Sequence, residues 1–251
     1  MSPLSHVVWI DESGNGKFAK DGMPVPGIQS LWVSAAVCFE WERLEAVSTG
    51  VQEILRDRFL NRCRELKASH LRRYLPAEFG PRDIGQDVAR LVQSEGGHVW
   101  ITGTRAGSQP MFSHPRGRGA EAKEKTRQLL IERISGYATP RFFEPGTWVM
   151  VWDVDDAGSL GEFSAAIAAF RNRVSGHPLP AAITPSMLGG LSHEWTPIQV
   201  ADIYANFALH KIGIEQGLVD AKTDRATAFD EFLEPTLKRD RSGRRVGWKV
   251  W

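Results

Sequence analysis

The stretch Val7–Gly16, VVWIDESGNG, decides how the rest of the chain reads. Val7 to Ile10 have the apolar, β-rich character of a buried strand. They run without a break into Asp11, Glu12 and Ser13. Burying an ionised carboxylate costs several kcal/mol unless it is paired or holds a cation. Either the strand surfaces into a polar turn, where Asp is a common residue, or Asp11 is held at the mouth of a site that needs negative charge. Glu12 and Ser13 are read as shaping the turn.

Working outward, the apolar runs fall into two lengths, one suited to strands and one to helices. Leu31 to Phe39, LWVSAAVCF, reads as a second strand, joined to the first by a Gly- and Pro-rich link typical of a wide hairpin. A helix follows from about Glu40 to Arg64, with Leu44, Val47, Val51, Ile54, Leu55 and Phe59 three and four apart. ELKAS, from Glu65, interrupts it. A helix from Pro81 or Asp83 to Ser94 leads to a strand over Val99 to Thr102. The Gly and Pro cluster from Gly107 to Gly119 is expected to be a mobile loop. A helix from Glu121 to Tyr137 then leads to the strand TWVMVWDVDD, which ends in carboxylates. A helix near Glu162 to Val174, a short strand around Ala182 to Thr184 or Met187, and a long helix from Pro197 to about Ile212 complete the pattern. Thr196 is expected to cap the last helix, with Pro197 in its first turn. Strands alternating with helices, with one hairpin at the start, imply an α/β domain with a mixed sheet.

The chain has 251 residues, 42% hydrophobic and 24% charged, with a formal net charge of +1. These values suit a soluble globular protein and exclude a uniformly basic DNA-coating protein. No apolar run approaches the roughly 18 residues of a membrane span, and the N-terminus lacks the pattern of a signal peptide, so a cytoplasmic location is expected. Cys38 and Cys63 form neither a disulfide framework nor a metal-ligand spacing. Positive charge collects around Arg116 and Arg118 and in the C-terminal KRDRSGRRVGWKVW, with six basic residues against one acidic. Such blocks are solvated loops or tails first and phosphate contacts second. We read residues 1–237 as one domain and 238–251 as a basic tail. Trp248 and Trp251 near those basic residues could stack bases.

Acids stand where burial should exclude them. Asp11 ends the first strand, and Asp153 ends another after Trp148 to Trp152, with Asp155 and Asp156 beyond it. Asp202 lies in TPIQVADIYANFALHKIG, where Gln199, Asp202 and Asn206 form one polar stripe on an otherwise apolar helix. In ELK, Glu65 and Lys67 are two apart, so an extended backbone turns both to one face. Each has a plain structural alternative: a turn residue, an internal salt bridge or a surface ion pair. His70, His98 and His193 have no distinguishing context. Taken together the acids make an oxygen-only donor set, which favours Mg²⁺ or Mn²⁺ over Zn²⁺. Two such cations about 4 Å apart can clamp the attacking and leaving oxygens of a phosphodiester. Phosphoryl transfer needs positioning and charge more than a covalent nucleophile.

IDESG from Ile10, ELK from Glu65, the strand-end Asp153 and QVAD from Gln199 resemble the ordered motifs of the bacterial and phage family called domain of unknown function 3800, over roughly Val7 to Ile212. The resemblance implies a ribonuclease H-like fold, with acids on central strands of a mixed sheet and another on a C-terminal helix. It implies a metal-dependent nuclease or related phosphotransfer protein, in some members tied to mobile elements or anti-phage defence. By position, Asp11, Glu65, Asp153 and Asp202 would be the metal ligands. Lys67 would face the scissile phosphate or balance the carboxylates, and Gln199 would help to orient the site. ELK follows a long helix, unlike a simple ribonuclease H pattern, so Glu65 could bind metal directly or through water, and Asp155 or Asp156 could replace a ligand. The expected substrate is RNA, DNA or a hybrid. The rivals are a non-catalytic nucleic-acid or protein-binding module of a defence or toxin system, and a small-molecule phosphatase with the same metal site.

Overall fold

The computed structural model describes residues 4–15, 26–105, 118–137, 147–153, 161, 183–191, 194–219, 223–240 and 242–251. Six strands, β1 (Leu4–Gly14), β2 (Trp32–Glu40), β3 (His98–Gly103), β4 (Thr147–Asp153), β5 (Ile183–Gly190) and β6 (Trp248–Val250), form one mixed sheet in the order β5-β4-β1-β2-β3-β6. Among the described residues the α-helices are α1 (Leu44–Phe59), α2 (Leu71–Tyr74), α3 (Pro81–Ser94), α4 (Arg118–Tyr137), α5 (Thr196–Glu215) and α6 (Asp224–Ala228). The expected α/β mixed sheet is present. The expected helix at 162–174, Arg116, Asp155, Asp156, His193 and most of the 107–119 loop lie outside the described residues.

Four sequence expectations change. The antiparallel part of the sheet is a three-strand meander rather than one hairpin, because β2 pairs antiparallel with both β1 and β3. Cys38 lies opposite His98, so the helical link between β2 and β3 starts and ends at the same end of the sheet. The helix from Glu40 breaks at Phe59, not Arg64, since Leu60 and Asn61 adopt left-handed backbone at φ 50 and 56. Trp195, not Thr196, is the N-cap of α5, without a side-chain cap bond: Thr196 already lies inside the helix. The segment read as a tail returns to the sheet at Lys238 and again at Trp248–Val250. The Lys238 N–H donates to the Val99 carbonyl, and Trp248–Val250 pair parallel with β3.

Residue alternation gives the sheet two different faces. Val7, Trp9, Val33, Ala35, Val37, Val99, Ile101 and Val151 turn toward α5 and join its side chains in the main core with α1 and α3. On the other face lies α4, where the Thr102 hydroxyl donates to the Thr126 carbonyl at 2.9 Å. Helix α5 buries residues on every side, among them Ile198, Val200, Ile203, Tyr204, Phe207 and Ile212. Each large apolar side chain contributes about 1.5–3 kcal/mol. Their sum outweighs the several kcal/mol that burying one aspartate costs, so the helix can carry Asp202 inward. Gly14, at φ 103, closes β1: any Cβ there would collide with the Leu31 carbonyl. Among the described residues, no helix is long and apolar enough to cross a membrane.

Candidate active site

The parallel β1/β4 pair sets Ile10 opposite Trp152, so the next residues, Asp11 and Asp153, lie side by side; Asp153 ends β4, whereas β1 does not end at Asp11 as expected but continues to Gly14, paired with β2. Both follow the alternation of Trp9 and Val151 and face α5. Helix α5 supplies Asp202 from above. Thus β1, β4 and α5 bring three of the four sequence-selected acids to one place. The electrostatics agree. Burial first, then the charges of Asp202 and Asp153, lift the Asp11 carboxyl well above the usual carboxylate range. The Glu12 N–H, donating to Asp11 Oδ1 at 2.6 Å, opposes the rise. Burial lifts Asp202 to about 6, against the Ala68 N–H, which donates to its Oδ2 at 2.6 Å, and the Lys67 charge.

The fourth acid arrives on ELK. Lys67 is extended at φ −118 and ψ 141, and alternation turns it to the side of Glu65, whose Oε2 lies 3.2 Å from its Nζ. Burial alone would lower the Lys67 ammonium. The hydrogen bond and charge of Glu65, then Asp153 and Asp202, keep it above the ordinary lysine range. Lys67 is therefore a shared cation of the cluster.

The polar stripe of α5 pins this assembly. Gln199 Oε1 accepts from the Leu66 N–H at 2.7 Å, with the side chain 1% exposed. Asp202 takes the next N–H but one, at Ala68. Asn206 Nδ2 donates to Ser13 Oγ at 3.2 Å. One helix face thus fixes both ELK and the end of β1.

Two arginines that no sequence signal singled out complete the picture. Arg225, at the start of α6, donates to Asn206 Oδ1 at 2.7 Å and to the Ala68 carbonyl at 3.0 Å. It holds the Ala68 carbonyl while Asp202 holds the Ala68 N–H, and its charge also acts on Asp202. It sits in KTDRATAF, with no periodicity to mark it. Arg127 of α4 meets Glu12 on the other face of the sheet, Nη2 to Oε2 at 2.6 Å, both side chains under 10% exposed. A trace of Arg127 was readable: with Ile131 and Ile134 it follows the buried stripe of α4. The Trp32 indole and Ser34 hydroxyl also donate to Glu12 Oε1, at 2.8 and 2.6 Å. Glu12 is thus an internal anion with its partners in place, and neither it nor Ser13 shapes a turn as expected: both lie in β1, opposite Ser34 and Val33.

The donors are oxygen-only and repel one another, which suits a hard divalent cation. As arranged, Asp11 and Asp202 each give one oxygen to a backbone N–H. Among the described residues, no three His, Cys, Asp or Glu side chains stand close enough to enclose an ion. Both cysteines are free thiols, Cys38 buried in β2 and Cys63 beyond α1. Arg118 begins α4.

A mixed sheet ordered β5-β4-β1-β2-β3, antiparallel on one side of β1 and parallel on the other, with Asp11 on β1 beside Asp153 at the end of β4, defines an α/β protein. Two solved structures are similar to the chain. The ribonuclease H2 from Pyrococcus horikoshii OT3 is 11% identical, with 94% of this chain and 82% of that chain covered and a TM-score of 0.49. A mutant of Bst-RNase HIII is 13% identical, with 86% and 55% covered and a TM-score of 0.38. No family model matches the chain, and no curated protein does.

Proposed function

We propose that the chain is a metal-dependent nuclease that hydrolyses phosphodiester bonds in RNA, DNA or a hybrid. The observation that carries this reading is geometric: Asp11 and Asp153 lie side by side on β1 and β4, facing the helix that carries Asp202, and Lys67, 3.2 Å from Glu65, is the shared cation beside them. Asp11, Asp153, Asp202 and Glu65 would hold Mg²⁺ or Mn²⁺, and the bound ions would supply positive charge to the attacking and leaving oxygens. Asp11 and Asp153 form the rigid floor, fixed by the sheet. Asp202 and Glu65 close it from α5 and ELK, which Gln199 and Arg225 hold in place. Lys67 contributes a mobile positive charge for the phosphate, and Arg116 and Arg118 follow the nucleic-acid backbone. We read the chain as a member of the domain of unknown function 3800 family, acting in the cytoplasm in a mobile-element or anti-phage setting. That reading rests on the ordered motifs IDESG, ELK and QVAD.

The test is cleavage of labelled single-stranded RNA, DNA and hybrid with Mg²⁺ or Mn²⁺. Asp11→Asn and Asp202→Asn should each lower the rate on the order of 100-fold or more. Activity that survives both substitutions overturns the mechanism.

One observation favours a second reading, a non-catalytic binding module: Lys67 already neutralises part of the cluster, and no three donors meet among the described residues. Millimolar Mn²⁺ should raise the melting temperature of the wild type and not of Asp11→Asn if the acids take an ion. No shift in either protein favours the module.

A further inference from the structure

Against the sheet that carries Asp11 and Asp153 stands an indole that the hydrolytic reading leaves without a task. Trp195, the N-cap of α5, is 43% exposed. Its ring leans on buried Trp9, centroids 5.5 Å apart at 36°. It also covers Gly190, where a Cβ would come within 3.2 Å of its Cδ1. Gly190 is the register partner of Asp153, and Trp9 lies two residues before Asp11 on the same face of β1. The indole therefore packs on two residues that neighbour Asp11 and Asp153 in the sheet. Its backbone is fixed: its N–H donates to the Leu191 carbonyl at 2.9 Å, and its carbonyl accepts from Ile198 at 3.0 Å. Leu188 and Leu191, in and just after β5, are exposed as well.

A rigid, half-exposed aromatic ring next to a phosphate-processing site is what a nucleobase stacks on. In a duplex both faces of each base are covered by its neighbours, so only a base free of its stack can use such a ring. We propose that Trp195 is a base-stacking, substrate-positioning residue and that the preferred substrate is single-stranded nucleic acid. The inference rests on the nuclease reading of the same site. RNA and DNA share the stacking chemistry, and parallel arms with each sugar separate them.

The experiment uses the full chain carrying Asp11→Asn, with Mg²⁺ and single-stranded RNA or DNA oligonucleotides containing 2-aminopurine. Trp195→Leu keeps apolar contact with Trp9 and removes the stacking face, and Trp195→Phe restores a ring. Trp41→Ala, another exposed indole at the opposite end of the sheet, is the control. Binding should quench 2-aminopurine in the parent. Trp195→Leu should abolish the quench and weaken single-strand affinity about 5- to 150-fold, the range of one stacked base. Duplex affinity should stay within about twofold, Trp195→Phe should recover most of the loss, and Trp41→Ala should change nothing.

Equal loss for duplex and single strand, no rescue by Trp195→Phe, or unchanged affinity in Trp195→Leu overturns the proposal. If those results appear while wild-type cleavage still depends on Asp11, only the stacking role fails. If the parent binds no nucleic acid and the wild type cleaves none, both readings fall.

Discussion

Asp11 and Glu12 are neighbours on one strand, and the protein treats them in opposite ways. Glu12 points to the α4 face, where Arg127 meets it at 2.6 Å and two neutral donors take up its other lone pairs. Asp11 points to the α5 face, where its nearest charged company is Asp202 and Asp153. A buried anion with its own arginine is a finished structural element. A buried anion among anions is an unfinished one, stable only when protonated or when a cation arrives from outside. The one-residue offset of a β-strand is enough to separate the two, because successive side chains take opposite faces.

The largest way to break this contrast is to strip Glu12 of its partner. Arg127→Met should cost about 3–5 kcal/mol in chemical denaturation, since it leaves an uncompensated buried charge. The double variant Glu12→Gln with Arg127→Met should regain most of that. If Arg127→Met alone is tolerated, the α4 face holds no committed ion pair and the two faces do not differ as argued.

Next in size is Arg225→Met. It orphans Asn206 Oδ1 and the Ala68 carbonyl, both bonded to Arg225 in the native chain. Unfolding should show a loss of about 2 kcal/mol. ELK, with the Ala68 carbonyl released, should hold Glu65 and Lys67 less firmly, so cleavage should fall with it. Arg225→Lys should restore charge but not the two-acceptor geometry.

How much of this could be read from the chain follows the same division. Asp11 and Asp153 were legible because VVWID and VMVWD each break an apolar run with a carboxylate, although only Asp153 ends its strand. The stripe of Gln199, Asp202 and Asn206 was legible from helical spacing. Glu65 and Lys67 were legible as a pair by alternation, and the structure joins them at 3.2 Å. What escaped was every partner supplied from far along the chain. Arg127 lies 115 residues from Glu12 and Arg225 lies 157 from Ala68, and local periodicity carries no information about such contacts. The edge strand β6 escaped for a related reason: a charged segment reads as solvated until a sheet edge is there to receive it.

pH sharpens the contrast on the α5 face. Asp202 is lifted to about 6, so the metal-free folded state keeps a proton that the unfolded chain has already released above its ordinary carboxylate value. Stability should therefore fall as pH rises from about 4 through 6. His98 and His210, held down to about 4 by burial, act the other way: protonating them in the unfolded chain costs stability as pH falls from about 6.5 to 4. The difference between wild type and Asp202→Asn cancels the histidines. That difference should change by about 1–2 kcal/mol over the window, the wild type losing ground at higher pH. A flat difference would mean that Asp202 is not desolvated among like charges.

The smallest effect belongs to Lys67, whose side chain is 30% exposed and whose partner Glu65 is 21% exposed. A partly solvated pair of this kind is worth at most about 1 kcal/mol, so Lys67→Met should barely move the denaturation midpoint. Its consequence lies in what replaces the charge. With the ammonium gone, Glu65, Asp153 and Asp202 lose their shared cation. An added divalent ion then has one internal rival fewer, Arg225 alone still acting on Asp202, and the Mn²⁺-induced rise in melting temperature should be larger in Lys67→Met than in the wild type. Cleavage should drop all the same, because the charge meant for the phosphate is missing. If Lys67→Met instead shows a smaller metal-induced rise, the lysine helps to build the ion site and does not compete with it, and the α5 face is as self-contained as the α4 face.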